Sequence, residues 1–252
     1  MNSQPLGNTE LMVSRLSFGT VYMGPRGDDL SPEAGAELLW EALHRGVTYW
    51  DTSDDYGSHA HVVSALRRIP RNRVVISSKT GFTGKPVDIL LEELGTDYID
   101  ILFAHDVRAN DVEMAREALI SWQEQKSLGK IRALGVSTHD TDVAAQASEW
   151  PEVQVLMVPV NSAGVCLPEY PIVGGIEKMM QAAEKAWLLG KGIIAMKVMG
   201  CGMLAHDPDT AIRFVDGLPF VHSLCIGMRS LDEIEQNVQI IEGEEKIDYK
   251  RL

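Results

Sequence analysis

The chain carries at positions 48–57 the stretch Thr48-Tyr49-Trp50-Asp51-Thr52-Ser53-Asp54-Asp55-Tyr56-Gly57. It begins as a short apolar run of residues that favour β-strands, and it ends in a polar loop. A carboxylate, Asp51, stands where the strand should end, and Tyr56 follows five positions later. The role of these two side chains depends on which residues end the other strands of the same sheet.

Strand and helix patterns alternate along the chain on both sides of this stretch. Gly7-Asn8 between two apolar runs predicts a short N-terminal β-hairpin over 5–13. The predicted strands cover 16–20, 47–50, 74–79, 99–104, 131–136, 153–160, 192–196 and 223–226. The first predicted helix starts at Pro32 after the N-cap Ser31, and the others cover 61–68, 87–94, 112–128, 142–148, 175–189, 210–215 and 231–241. Ser230 and Glu233 are spaced as a capping box at the start of the last helix.

Strict alternation of strands and helices predicts an α/β fold with a parallel sheet. The strands are nearly continuous apolar runs, as expected when both faces of a sheet are covered. Eight such units that close on themselves form a (β/α)8 TIM barrel, which suits a single domain over residues 1–252. An open doubly wound sheet is the competing architecture. A dinucleotide-binding version of it is disfavoured because no Gly-x-Gly-x-x-Gly turn follows the first strand.

The composition argues against several other classes of protein. A net charge of −13 opposes nonspecific binding of nucleic acid, which relies on basic surface. No apolar run approaches the ~20 residues of a membrane span, and the N-terminus lacks the pattern of a secretory signal. Cys166, Cys201 and Cys225 are far apart in the sequence, so we interpret them as reduced thiols of a cytoplasmic protein. We expect no metal site.

Polar residues at the carboxyl ends of the strands converge at one mouth if the barrel closes. They are Gly19, Thr20, Asp51, Lys79, His105, Ser137, Asn161, Lys197 and Gly227. Tyr56 lies in the loop just past Asp51, so both should meet Lys79 and His105. This set suits proton donation to an oxygen, because an ammonium stabilises a phenolate and a carboxylate keeps the lysine charged. A neighbouring histidine can bind the same oxygen.

The sequence resembles the aldo-keto reductases, as a member with short loops. The matching pieces are Leu16-Ser17-Phe18-Gly19-Thr20, the stretch Gly46–Gly57, Ser78-Lys79-Thr80, Leu94–Ile101 with His105, Gly135-Val136-Ser137, and Ile226-Gly227-Met228-Arg229-Ser230 running on to Asn237. The resemblance implies a (β/α)8 barrel that reduces an aldehyde or ketone by hydride transfer from NAD(P)H without a metal. It implies Tyr56 as the general acid, Lys79 paired with Asp51 as the group that lowers its pKa, and His105 as the residue that orients the carbonyl.

The resemblance also implies a set of cofactor-binding residues. They are Gly19, Thr20, Ser137, Thr138, Asn161, Lys197, Gly200, Cys201, Gly202, Leu204, Gly227, Met228, Arg229, Glu233 and Asn237. The chain departs from the family pattern at Thr138 and Asn161, where asparagine and glutamine are common. It also has Glu233 where a basic residue often holds the 2′-phosphate of NADPH. The family habit favours NADPH, and NADH is the alternative.

Two other functions fit the same sequence. A cofactor-binding regulatory or sensor barrel would bind the dinucleotide and turn over poorly, and the short loops suit it. A metal-dependent barrel hydrolase would need a cluster of ligands, for which the strand ends offer only Asp51 and His105. We expect a small-molecule carbonyl substrate, and no nucleic acid or membrane as a partner. The sequence leaves the oligomeric state open.

Overall fold

A closed parallel barrel forms the centre of the computed structural model, which describes residues 1–82 and 84–243. Within these residues the barrel strands are β3 (Leu16–Gly19), β4 (Tyr49–Asp51), β5 (Val75–Thr80), β6 (Ile99–Ala104), β7 (Ile131–Ser137), β8 (Val155–Pro159), β9 (Gly192–Met196) and β10 (Ser223–Gly227). Each strand pairs in parallel with its neighbours in chain order, and β10 closes the ring onto β3. The predicted (β/α)8 barrel is confirmed.

An antiparallel hairpin precedes the barrel, as predicted. It consists of β1 (Ser3–Pro5) and β2 (Met12–Ser14), with Ser3 opposite Ser14. Leu6 is fully buried and belongs to the same apolar cluster as side chains of the barrel interior. The backbone of Asn8 donates to the Gly190 carbonyl at 2.8 Å, just ahead of β9. The hairpin therefore covers the end of the barrel at which the strands begin.

Helices follow the strands around the outside of the ring. They are α1 (Pro32–His44), α2 (His59–Leu66), α3 (Val87–Leu94), α4 (Val112–Ser127), α5 (Thr141–Ala147), α6 (Ile176–Leu188), α7 (Pro208–Asp216) and α8 (Leu231–Glu242). The hydroxyl of Ser31 caps α1 by accepting from the Ala34 N–H at 3.2 Å, as predicted. The helix α7 starts two residues before the predicted Thr210, because Asp207 accepts from the Thr210 N–H and places Pro208 in the first turn.

The start of α8 differs from the predicted capping box. Ser230 accepts from the Glu233 N–H at 3.2 Å, which is one half of that motif. The carboxylate of Glu233 accepts from the Arg229 N–H at 2.8 Å instead of from the N–H of Ser230. The side chain of Glu233 is thus held over the turn that links β10 to α8.

Apolar side chains fill two layers of the structure. One layer lies between the barrel and its helices, and the other fills the interior of the barrel. In the inner layer Gly135 makes room for Phe103, because a Cβ on Gly135 would lie 2.5 Å from the Phe103 ring. Such close packing fixes the strand ends, and with them the residues that follow each strand.

No helix among the described residues is long and apolar enough to span a membrane. The single domain over residues 1–252 stays a prediction, because residues 83 and 244–252 lie outside the described part. The cytoplasmic location also stays a prediction.

Candidate active site

A buried ion pair lies at the carboxyl ends of β4 and β5. The Lys79 ammonium, 1% exposed, donates to Asp51 Oδ2 and, at 3.0 Å, to the carbonyl oxygen of Thr52. The second oxygen of Asp51 accepts from the hydroxyl of Ser77 at 2.6 Å. Burial by itself lowers the pKa of Lys79, but Asp51, Tyr56 and Cys225 together outweigh burial, and the net shift of the pKa is upward. Lys79 is therefore a permanent cation at neutral pH.

Tyr56 lies beside this cation, in the loop between β4 and α2. The Lys79 nitrogen is 4.8 Å from the centre of the Tyr56 ring. Burial raises the pKa of Tyr56 to about 12, although Lys79 pulls it down. The sequence predicted that the lysine would lower this pKa below its ordinary value. The structure gives the opposite net direction because desolvation of a phenolate at this depth outweighs a single cation.

His105 follows β6 and faces Tyr56 edge to face, with ring centres 5.9 Å apart. Its Nδ1 lies 3.2 Å from Ser53 Oγ and 3.7 Å from Asp55 Oδ1. Ser53 also donates to Asp55 at 2.6 Å, so the three side chains form a connected group. Burial and the nearby Lys79 lower the pKa of His105, which keeps the imidazole neutral at neutral pH. With Nδ1 engaged, Nε2 is the ring nitrogen left for a ligand.

A cavity of about 460 Å³ runs from Tyr56 and Asp51 to the start of α8. Its wall contains eight of the predicted cofactor-binding residues: Gly19, Lys197, Cys201, Gly202, Gly227, Arg229, Glu233 and Asn237. The structure therefore brings the residues after β3, β9 and β10 to one continuous surface. Of the four predicted catalytic residues, Asp51 and Tyr56 belong to this surface, whereas Lys79 and His105 lie outside the cavity wall.

The other predicted cofactor-binding residues lie outside the cavity wall: Thr20, Ser137, Thr138, Asn161, Gly200, Leu204 and Met228. Three of them use their polar groups on the protein itself. The Thr20 hydroxyl donates to the Asp51 carbonyl, and the Thr138 hydroxyl donates to the Val107 carbonyl. Asn161 bonds to the backbone of Val165 and Lys197. Their roles toward a cofactor stay predictions.

Charged groups at the α8 end of the cavity are tied to one another. The guanidinium of Arg229 donates to both carboxylate oxygens of Asp28, with Nε 2.7 Å from Oδ2. Glu233 accepts from the Arg229 backbone, as described above. This rim therefore presents two carboxylates against one guanidinium that is already paired.

Sequence reasoning missed several residues of the site. Tyr22, Met157, Cys225 and Gln236 line the cavity, and Ser53 with Asp55 holds His105. Tyr22 could have been found, since it follows Gly19 and Thr20 in the loop after β3. Cys225 could also have been found, because it occupies an inward-facing position two residues before Gly227. Ser53 and Asp55 carry no sequence signal that distinguishes them from ordinary turn residues.

Comparison with known proteins identifies the family of the chain. Residues 15–217 match the model of the aldo/keto reductase family. The chain belongs to this family. As a member, it is an oxidoreductase of the type that reduces carbonyl groups of small molecules with NAD(P)H.

Curated relatives of this aldo-keto reductase are oxidoreductases. The chain is 29% identical to L-galactose dehydrogenase of Arabidopsis thaliana, over 94% of its own length and 86% of the plant protein. It is 29% identical to the NADH-specific methylglyoxal reductase of Escherichia coli, over 62% of its own length and 58% of that protein.

Solved structures show the same fold. The chain superposes on a putative aldo-keto reductase from Pseudomonas aeruginosa with a TM-score of 0.76 and 24% identity, covering 95% of its own residues and 93% of the other chain. It superposes on the holo form of aldo-keto reductase AKR11C1 from Bacillus halodurans with a TM-score of 0.77 and 18% identity, covering 99% and 94% of the two chains.

Proposed function

We propose that this aldo-keto reductase converts an aldehyde or ketone into an alcohol, with Tyr56 as the proton donor. The observation that carries the proposal is the position of Tyr56 beside the buried Lys79–Asp51 pair and His105, at one end of the 460 Å³ cavity. A protonated phenol can donate the proton, a fixed cation can stabilise the phenolate that remains, and a neutral imidazole can bind the carbonyl oxygen.

The cavity suits an elongated anionic cofactor. Lys197 places a cationic group in its wall, and Arg229 adds a guanidinium that is paired with Asp28. Gly202 also lines the cavity, and a Cβ at this position would meet no atom within 4 Å, so its backbone is open to a ligand. The first turn of α8 faces the far end, where the N–H groups of a helix favour phosphate. When bound, the nicotinamide ring of NAD(P)H supplies the hydride.

The phenol of Tyr56 donates its proton to the carbonyl oxygen of the substrate. Its pKa of about 12 keeps the group protonated in the resting enzyme at neutral pH. Once the proton has left, the Lys79 ammonium stabilises the phenolate. Asp51 holds that ammonium charged and in place, so its contribution is to position the cation rather than to touch the substrate.

His105 orients the substrate oxygen through Nε2. For Nε2 to donate, the neutral ring must carry its proton there, and the Ser53 hydroxyl must then donate to Nδ1. Ser53 lies within reach of both Nδ1 and Asp55, so it can redirect its proton from the carboxylate to the imidazole. We therefore assign Ser53 a positioning role that fixes the tautomer of His105.

The charges at the α8 end bear on the choice of dinucleotide. The usual cofactor preference in the family is for NADPH, whose 2′-phosphate needs a free cation. Here the guanidinium of Arg229 is already paired with Asp28, and Glu233 adds a carboxylate to the cavity wall. A carboxylate repels a phosphate but accepts a hydrogen bond from a ribose hydroxyl. We therefore propose that this chain prefers NADH.

Tyr56→Phe tests the assignment of the proton donor. Loss of a general acid lowers the rate by roughly 10²–10⁴-fold, while the ring stays in place to support cofactor binding. We would assay reduction of methylglyoxal, which the name of one relative gives as a substrate for reduction. Quenching of tryptophan fluorescence measures cofactor binding separately.

Each outcome of this experiment is informative. Undiminished reduction by Tyr56→Phe contradicts the role of the tyrosine. Tight binding of NADH without turnover of any carbonyl would favour the cofactor-binding sensor over the enzyme.

A further inference from the structure

Two half-buried thiols stand together in the loops that border the cavity. Cys166 lies in the loop after β8, and Cys201 lies in the 3-10 turn Gly200–Gly202 after β9. Their sulfur atoms are 3.0 Å apart, although the residues differ by 35 positions in the sequence. The sequence, which separates all three cysteines widely, gave no indication of this pair.

One buried amide holds the two loops in register. Asn161 donates from Nδ2 to the carbonyl oxygens of Val165, at 2.9 Å, and Lys197, at 3.2 Å. Its oxygen accepts from the Val165 N–H at 3.1 Å. The loops also touch directly, because a Cβ on Gly200 would lie 2.8 Å from Val165 Cγ2. The closeness of the thiols is thus supported by contacts on either side of them.

The backbone of the turn directs Cys201 toward its partner. Cys201 has φ 57°, and its neighbours Gly200 and Gly202 have φ 54° and 97°. This left-handed conformation is unfavourable for a residue with a Cβ, so the surrounding contacts must maintain it. In it, the side chain of Cys201 both meets Cys166 and lines the cavity.

We propose that Cys166 and Cys201 form a reversible disulfide that locks the wall of the cavity. The sulfur atoms need only approach from 3.0 Å to about 2.05 Å. A hydroperoxide is the oxidant: it converts the Cys201 thiol to a sulfenic acid and is itself reduced to an alcohol, or to water if it is hydrogen peroxide. Cys166 then attacks the sulfenic sulfur, the S–S bond forms, and the hydroxyl leaves with the thiol proton as water.

The surroundings favour this order of steps. Burial and the neighbouring Cys201 raise the pKa of Cys166 to about 11, so Cys166 is not the thiol that is oxidised first. Its attack on Cys201 is favoured instead by the 3.0 Å separation of the two sulfur atoms. Cys201 lines the cavity and Cys166 does not, so Cys201 is the member of the pair that meets an oxidant entering it. Burial also raises the pKa of the third thiol, Cys225, which therefore reacts slowly.

The disulfide joins the loop after β8 to the turn after β9. Cys201, Gly202 and Met199 form one side of the cavity, so the bond removes the freedom of that side to move. If the cavity holds the dinucleotide, as the proposed function requires, its exchange slows after oxidation. This consequence rests on the proposed function, whereas the disulfide itself does not.

The test is to treat the full-length protein with hydrogen peroxide and count its thiols after unfolding. We expect two of the three cysteines to become unreactive, and dithiothreitol to restore both. Peptide mapping should join the segments that contain Cys166 and Cys201. Amide hydrogen exchange in residues 197–205 should slow in the oxidised protein, which reports on the loop without any cofactor.

Cys166→Ser is the matched variant, since Cys166 does not line the cavity and the reduced variant should bind cofactor normally. It should show no slowing of exchange after oxidation. Three reactive thiols in the treated wild type, a disulfide between two chains, or over-oxidised Cys201 without a bond would overturn the proposal. A mapped disulfide in a protein that binds neither NADH nor NADPH would leave it standing and would count against the proposed function.

Discussion

The nitrogen of Lys79 lies 4.8 Å from the centre of the Tyr56 ring while it donates a hydrogen bond to Asp51. One buried cation therefore interacts with a carboxylate and a phenol at the same time. Its attraction to Asp51 is present in every state of the enzyme, whereas its attraction to Tyr56 becomes strong only when the phenol has lost its proton. The stability of the fold and the chemistry of the site thus depend on the same ammonium group.

The pKa of Tyr56, about 12, predicts the pH dependence of both directions of the reaction. The phenol is protonated throughout the neutral range, so kcat/KM for reduction should not fall between about pH 7 and about pH 10. Alcohol oxidation needs the phenolate, whose fraction rises tenfold per pH unit below the pKa. The logarithm of the rate of alcohol oxidation should therefore rise with pH, with a slope near one, over the same range.

Initial rates in both directions, measured at constant ionic strength, check this prediction. A fall in the reduction rate centred between about pH 7 and about pH 9 would contradict the prediction. It would show that Lys79 affects the pKa of Tyr56 more than burial does in the working enzyme. Tyr56→Phe is the control, since its residual oxidation rate should show no slope from this group.

The buried pair predicts a pattern of stabilities. Lys79→Met leaves Asp51 as an uncompensated buried charge and should lower the free energy of unfolding by roughly 3–5 kcal/mol. Adding Asp51→Asn removes that charge and keeps an acceptor for the Ser77 hydroxyl. The double variant should therefore recover much of the loss, although both variants lose activity.

Urea unfolding of the wild type, both single variants and the double variant measures the coupling between the two residues. If the double variant is as unstable as the sum of the two single variants, the charges of Asp51 and Lys79 do not interact in the folded state, and the interpretation is wrong.

Glu233 predicts the choice between the two dinucleotides. Glu233→Gln removes one negative charge from the cavity wall and keeps an oxygen for the Arg229 N–H. We expect NADPH to bind about fivefold more tightly, as unit charges a few ångströms apart in water predict, and NADH to change little. Fluorescence titration with both cofactors, at low and high salt, measures this change.

Asp232→Asn is the matched control, because Asp232 lies in the same turn of α8 but does not line the cavity. It should leave the ratio of the two affinities unchanged. An equal gain in NADPH affinity from both variants would assign the effect to the general field of the helix rather than to Glu233.

His222 predicts a loss of stability in mild acid. Burial, and then the charge of Arg15, lower its pKa from 6.5 to about 4, and its Nδ1 accepts from the Ile193 N–H at 3.0 Å. Because the folded state holds the neutral form, its contribution is complete above pH 6.5 and is lost as the pH falls toward 4. Allowing for the partial exposure of the ring, the loss should be roughly 1–2 kcal/mol.

His222→Asn keeps an acceptor near the position of Nδ1 and cannot titrate in this range. Chemical unfolding between pH 7 and pH 4 should show a smaller loss of stability for this variant than for the wild type. Parallel curves for the two proteins would contradict the prediction, since other buried histidines such as His139 contribute equally to both.

The barrel could be predicted because its signals are local. Apolar runs such as Ile99–Ala104, glycines that end helices, and the caps Ser31 and Ser230 each act within a few residues. The placement of Asp51, Lys79 and His105 followed from topology alone, since parallel strands carry their carboxyl ends to one edge.

The remaining features depend on loop conformation and depth of burial, which no local pattern encodes. The contact between Cys166 and Cys201 arises only when two loops fold against each other. The net pKa of Tyr56 depends on how much water reaches it, so sequence reasoning found the correct neighbour, Lys79, and the correct direction of its effect, but not the burial that outweighs it. The ion pair between Arg229 and Asp28 joins positions near opposite ends of the chain.

The hairpin β1–β2 closes the end of the barrel at which the strands begin. Leu6, Leu11 and Val13 are buried there against the interior side chains. Among the described residues, the cavity therefore connects to solvent at the opposite end. A ligand that approaches the interior of the barrel from that side first meets the residues that follow the strands, because the hairpin covers the other side.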